Sequence, residues 1–179
     1  MEVIYKKENF LFERIHEYQF SIHFNVINNN IQLDKIIDFG LMKLLSDVNP
    51  DIYIESKIDT ISEHEVEFVF LLKHFFEDLG LPQHYSYMNT TKMVYENAVI
   101  FSSKPIYDKK PDWIPENVEL CPFHSLICKF EIETLHKINI TIDLHMEQKK
   151  IIVPLMIQKL FGIILHKMFI RVKQFIENL

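Results

Sequence analysis

A chain of 179 residues, 48% hydrophobic and 25% charged, is long enough for one domain that buries about 70% of its unfolded surface without disulfides or metals. Three glycines, with no GxGxxG or GKS/T pattern, exclude the common phosphate-cradling loops, and the most apolar stretch, Leu155 to Ile170, is broken by Lys159, His166 and Lys167, short of the roughly 20 apolar residues of a membrane span. The formal charge of −6 is uneven: Lys149, Lys150, Lys159, Lys167, Arg171 and Lys173 against Glu177 make residues 149–179 about +5, leaving about −11 on the rest.

Tyr18, Phe20, Ile22, Phe24 and Val26 alternate with Gln19, Ser21, His23 and Asn25, the period of a half-buried strand. Leu33, Ile36, Ile37, Leu41, Leu44, Leu45 and Val48 recur at helical spacing and predict a helix that stops before Pro50. Asp51 to Ile61 reads as a second strand. Ser62-Glu63-His64-Glu65 has the form of a capping box, and Phe68, Leu71, Leu72, Phe75, Phe76 and Leu79 follow at helical spacing, so an amphipathic helix is predicted up to Gly80-Leu81-Pro82. Tyr85 to Ile100 reads as one long or broken strand, with Glu96-Asn97 as a turn or bulge.

Residues 104–122, with Pro105, Pro111, Pro115 and Pro122, form the longest predicted loop. Alternation over Leu126–Glu133 and again over Ile138–His145, separated by only a few residues, predicts a hairpin. Lys149 to Val153 reads as a short last strand before a helix of roughly six turns that opens at Pro154 and reaches the C-terminus. These elements predict a single α+β domain over residues 1–179, a curved antiparallel sheet with helices on one face, built from two echoing halves, 18–82 and 85–179. The other face would carry Gln19, Ser21, His23, Asn25, Lys129, Glu131, Glu133, Asn139, Thr141, Asp143 and His145.

Short motifs in this order resemble the TATA-binding protein family. Asp78-Leu79-Gly80-Leu81-Pro82 is similar to the joint between that family's repeats, and Thr91-Lys92-Met93-Val94 to the opening of its second repeat. Glu119-Leu120-Cys121-Pro122 with Leu126-Ile127-Cys128-Lys129 is similar to its "ELFPGLIYR" segment, and Leu33-Asp34-Lys35-Ile36-Ile37 to a helix entry of its first repeat. The resemblance implies a saddle whose open sheet contacts DNA through Lys92, Val94, Lys129, Lys149 and Lys150. Departures weaken that grip: Ile22 and Lys92 stand at the asparagine positions, Cys121 and the region of His145 lack the phenylalanine wedges, and Glu131, Glu133 and Asp143 would repel phosphates.

Cys121, His124 and Cys128 are the only clustered metal ligands, too few for a zinc site, so no metal or cofactor is expected. Two cysteines and an N-terminus without an apolar signal core lead to an expectation of an intracellular location, with the nucleus or a viral replication compartment among the settings. Glu131 and Glu133 share a strand face without a pocket, and no nucleophile has a local histidine, so no catalysis is expected. Trp113 in the proline-rich loop would either pin the loop or anchor a partner, and Lys159, Lys167, Arg171 and Lys173 would offer a basic docking face. The leading expectation is therefore a divergent TATA-binding-protein-like transcription factor or scaffold, viral or cellular, that binds transcription proteins, with DNA contact left open. The alternatives are a helix-grip domain of the START or Bet v1 type, enclosing a small apolar ligand between helix and sheet, and a non-catalytic structural subunit of a larger assembly.

Overall fold

In the computed structural model, which describes residues 1–148 and 154–179, the alternating segments become strands and the last apolar stripe becomes a helix. The strands are β1 (Glu2–Lys7), β2 (Phe10–His16), β3 (Gln19–Ile27), β4 (Tyr53–Ser62), β5 (Glu65–Leu72), β6 (His84–Tyr95), β7 (Ala98–Pro105), β8 (Glu119–Leu120), β9 (Phe123–Thr134) and β10 (Lys137–Met146). The helices are α1 (Gly40–Asp47) and α2 (Leu155–Glu177). One sheet takes the strands in the order β1-β2-β3-β10-β9-β7-β6-β5-β4, with antiparallel neighbours, and β8 adds to β6 in parallel. Lys149 to Val153, expected as a strand, lies outside the described residues.

The register sorts side chains onto two faces. Phe12, Ile22, Ile142, Cys128 and Phe101 form one row across five strands, and this face belongs to the main core with Val172 and Ile176 of α2. Its neighbours on the opposite face include Ser21, whose Oγ donates to Asp143 Oδ1 at 2.6 Å, and His23, 3.3 Å from both Thr141 Oγ1 and Glu13 Oε1. The polar face anticipated from alternation is therefore present on β3, β9 and β10.

Curvature follows from what α2 touches. Laid flat, the eight steps from β1 to β4 would span roughly 38 Å, whereas a helix is about 10–12 Å across. Yet α2 meets both ends of that order. Gly162 lies against β1 and β2 so closely that a Cβ there would stand 2.7 Å from Tyr5 Cβ and 3.2 Å from Phe12 Cδ1. Toward the other end, Tyr53 of β4 donates its hydroxyl hydrogen to Met168 Sδ at 2.9 Å. The sheet is thus wrapped around α2, with the apolar face inside.

Three expectations need correction. The capping-box stretch is the β4–β5 hairpin, where Ser62 Oγ accepts from the His64 amide at 3.2 Å, a local turn bond that mimics a helix start. The residues read as a helix up to Gly80 form β5 and a single 3-10 turn over Glu77–Leu79, after which Gly80 takes a left-handed φ of 70°. The spacing misled because β5 is buried on both faces: Phe68 and Phe70 meet α2's side, while Val69 and Leu71 lie under the segment carrying Ile114 and Val118. The helix expected from Leu33 is divided into a 3-10 turn over Leu33–Ile36 and α1. With β5 in place of a closing helix, the element order of residues 18–82 does not echo that of 85–179.

The N-terminal hairpin β1–β2 was not anticipated, because its charged residues break the alternation. It supplies Ile4, Phe10 and Phe12 to the core. Substituting Gly162→Ala should destabilise the fold by about 1–3 kcal/mol, because overpacking against Tyr5 outweighs the gain of roughly 1 kcal/mol in helix propensity. Chemical denaturation of the variant should show a lower midpoint, and an unchanged or higher midpoint would contradict the close approach.

Candidate functional site

The candidate site is the interface between α2 and the inner sheet face, because two apolar clusters that include α2 side chains meet there, together with a few isolated polar groups. Phe24, Phe68, Phe70, Phe101, Met88 and Phe169 are among the side chains that line it. Within this surface, Thr90 and Ser103 are 0% and 1% exposed and share a hydroxyl–hydroxyl hydrogen bond of 2.6 Å. Burial of Tyr53 raises its phenol well above the ordinary range, so it stays protonated and can donate to Met168.

Two buried asparagines bolt α2 in place through its backbone. Asn49, beyond α1, donates from Nδ2 to Leu45 O at 2.8 Å and to Met168 O at 3.2 Å, while Asn28, beyond β3, donates to Ile176 O at 2.7 Å. Asp51 adds an ionic tie, accepting from both Arg171 and Lys167 of α2. The hydrogen bonds from Arg171 and then Lys167 hold its carboxyl far below the usual carboxylate range.

On the β1–β2 side, His166 of α2 packs among aromatic rings. Its ring centroid is 5.6 Å from that of Tyr5 and 5.2 Å from that of Phe10, the latter edge-on at 77°. The residue is 9% exposed, and its Nε2 has no hydrogen-bond partner among the described residues. Burial, and secondarily the charge of Lys7, push its pKa below the ordinary histidine value against an opposing effect of Glu8, so the imidazole is neutral at pH 7. Beside it, Phe10, Phe24, Phe169 and Ile170 form the apolar wall of a recess of about 20 Å³, with Lys7, Glu8, Asn9 and Lys173 at its polar side. That volume holds about one water.

The residues singled out from sequence do not converge. Lys92 is half-buried, with its Nζ 5.6 Å from the Phe39 ring centroid, whereas Lys129 lies on the outer face and pairs with Glu131 at 2.7 Å. Val94 is exposed near the end of β6, and Lys149 and Lys150 lie outside the described residues. Lys167 and Arg171 are engaged by Asp51, Lys173 donates to Asn25 O at 2.7 Å, and Lys159 is exposed on α2. Trp113 pins the loop: it packs with Val69, Leu71 and Tyr85, and Lys57 Nζ sits 4.5 Å from its ring centroid.

Burial pushes the Cys121 and Cys128 thiols up to about 12, which makes both poor nucleophiles and poor metal ligands. No group of three ligating side chains comes together among the described residues. Glu133 is hydrogen-bonded by Lys137 and Asn139, which lower its pKa, the opposite of the raised value a general acid needs. Tyr5, Phe10 and Gly162 escaped the sequence reading, and His166 figured in it only as a break in the apolar stretch. The signal was present: His166 stands four residues after Gly162 and three before Phe169, on the buried side of α2.

No protein-family profile and no characterised protein sequence matches the chain. Its fold, however, is similar to that of several solved structures. It is similar to human STARD10, with a TM-score of 0.68 at 9% identity over 97% of this chain and 71% of that one. Human StAR-related lipid transfer protein 5 gives a TM-score of 0.63 at 11% identity, covering 92% of this chain and 79% of the other. A STAR-related lipid transfer protein from Xanthomonas axonopodis gives 0.54 at 11% identity, covering 90% and 93%.

These likenesses correct the expectation of a TATA-binding-protein-like saddle and, with it, the transcription and DNA-binding roles. The physical reason is the side on which the long helix packs. In a saddle the concave face is left open for DNA, whereas here α2 fills it. Nor is any described helix long and apolar enough to cross a membrane.

The Asp51 tie has a pH signature. Because its folded pKa is depressed, its contribution is present above the unfolded value of about 4 and is lost as pH falls below it. Partial exposure screens this ion pair to about 1 kcal/mol or less. Acid titration of unfolding stability should therefore be shallower below pH 4 in Asp51→Asn than in the wild type, and identical slopes would contradict the assignment.

Proposed function

We propose that this chain is a helix-grip protein that binds a small, mostly apolar molecule between α2 and the inner face of the sheet. One observation carries the reading: a single helix is enclosed by an apolar sheet surface that reaches from Tyr5 to Tyr53, with isolated polar groups set within it. Apolar surface of that kind with a few placed polar groups is how ligand sites achieve affinity and orientation. Two of the similar structures are lipid transfer proteins by name, and the proposal extends that class of ligand to this chain. The role is binding without catalysis, in keeping with protonated thiols and carboxylates paired to lysines.

The recess of about 20 Å³ is far smaller than the roughly 300–1,000 Å³ of ordinary ligand sites, so ligand entry would require α2 to move relative to the β1–β2 hairpin. The same tight packing favours a second reading, a structural subunit in which α2 only completes the core. Native mass spectrometry after incubation with a mixed lipid extract separates the two. A saturable 1:1 adduct, accompanied by a rise in thermal midpoint, is expected for the binding protein. An unshifted mass with every lipid class would leave the structural reading.

A further inference from the structure

We infer that His166 is the polar recognition group of this interface and that the molecule it selects is an apolar alcohol, whose hydroxyl pairs with the His166 imidazole while its hydrocarbon part displaces α2 from the inner sheet face. The inference rests on the binding role proposed above and names the class of ligand.

The argument begins with cost. An imidazole nitrogen that is buried without a hydrogen bond forfeits its interaction with water and gains nothing in return, and such orphaned groups in native proteins call for an explanation. At this position the surroundings make that cost conspicuous. His166 Nε2 lacks a partner among the described residues while the ring sits between Tyr5 and Phe10, on the side of α2 that also carries Gly162 and Phe169, with the polar Gln158 and Lys173 further along it. A phenylalanine or leucine would pack there without the penalty.

The recess beside it is the natural starting point for a ligand. Phe10 both touches the His166 ring and lines the recess, and Phe169 and Ile170 line it about one helical turn further along. The hairpin that closes the recess turns at Glu8, which holds a left-handed φ of 51°, an uncommon conformation for a residue with a side chain. Gly162, one turn before His166, lets helix and hairpin meet without an intervening side chain.

The head group follows from charge. Because His166 is neutral at pH 7, its pairing with an uncharged hydroxyl leaves no net charge in an aromatic environment. A carboxylate would have to be desolvated beside Glu8, with only the exposed Lys7 to offset it, since Lys173 is already engaged by Asn25 and Glu177. An alkane would fill the same space but leave the nitrogen unpaired.

The test compares 1-decanol, decanoate and decane on the intact chain, by titration followed in nitrogen-resolved NMR of the histidine rings. Decanol should bind about tenfold more tightly than decane, the worth of one hydrogen bond to a buried group, and should shift the His166 ring nitrogen signal. In His166→Phe, the preference should reverse, with decane binding more tightly than decanol, whose hydroxyl would then be buried without a partner. The wild-type ring shift needs no variant, so a misfolded His166→Phe would not blunt the test. Equal affinities in the wild type, a preference for decanoate, or an unmoved His166 signal at saturation would overturn the inference while leaving the binding role intact. Absence of binding by all three, joined by no adduct from the lipid extract, would remove the binding role itself.

Discussion

A nine-strand path whose two ends must share one helix is the constraint on which the rest of this structure depends. The inner faces of β1 to β3 and of β4 to β6 are too apolar to be left in water, and α2, about 35 Å long for its 23 residues, is the element that buries both. Wrapping follows from that shared burial. It also explains why the helix is so firmly indexed: Gly162 sets its closeness to β1, Asn49 and Asn28 hold its backbone, and Asp51 fixes its rotation through Arg171 and Lys167. The Asn49 and Asp51 ties share the turn from Lys167 to Arg171, while Gly162 and Ile176 engage the helix on either side of it, so sliding or rotation would break several at once.

This arrangement makes the interface both the core of the domain and its candidate site. A core packed to interior density stabilises the empty protein, and the same packing opposes entry of a ligand. The two demands meet on the β1–β2 hairpin. There the helix is held by ring contacts and close approach around Tyr5, Phe10 and Gly162, whereas hydrogen bonds fasten its C-terminal end to β3 and the segment after it, and hydrogen bonds and ion pairs fasten its β4 flank. Opening on the hairpin side would therefore break fewer directional bonds than opening on the β4 side.

Much of the fold was legible because a half-buried strand writes its geometry directly into alternation. β3, β9 and β10 could be read residue by residue, and α2 announced itself by Pro154 and the apolar run that follows it, although Phe161 and Phe175 of the helix prove exposed. β5 was not legible, since a strand covered on both faces loses alternation and its Phe68, Leu71 and Leu72 can be fitted to a helical period. The side of the sheet on which a helix packs is a tertiary property that spacing does not carry. That is why strand–strand–helix order at the C-terminus was compatible with a saddle and with a grip. The site was less legible still. His166 appeared as a break in an apolar run, and only the placement of Tyr5 and Phe10 beside it gives that break a meaning.

Proton–proton NOEs in solution test the central claim most directly, because Tyr5 and Tyr53 lie on strands at opposite ends of the sheet order. The grip predicts cross-peaks from the Gly162 α-protons to the Tyr5 side chain and from the Met168 methyl group to the Tyr53 ring within the same sample. Observation of only one of the two sets would mean that α2 rests on one end of an open sheet, and would contradict the account.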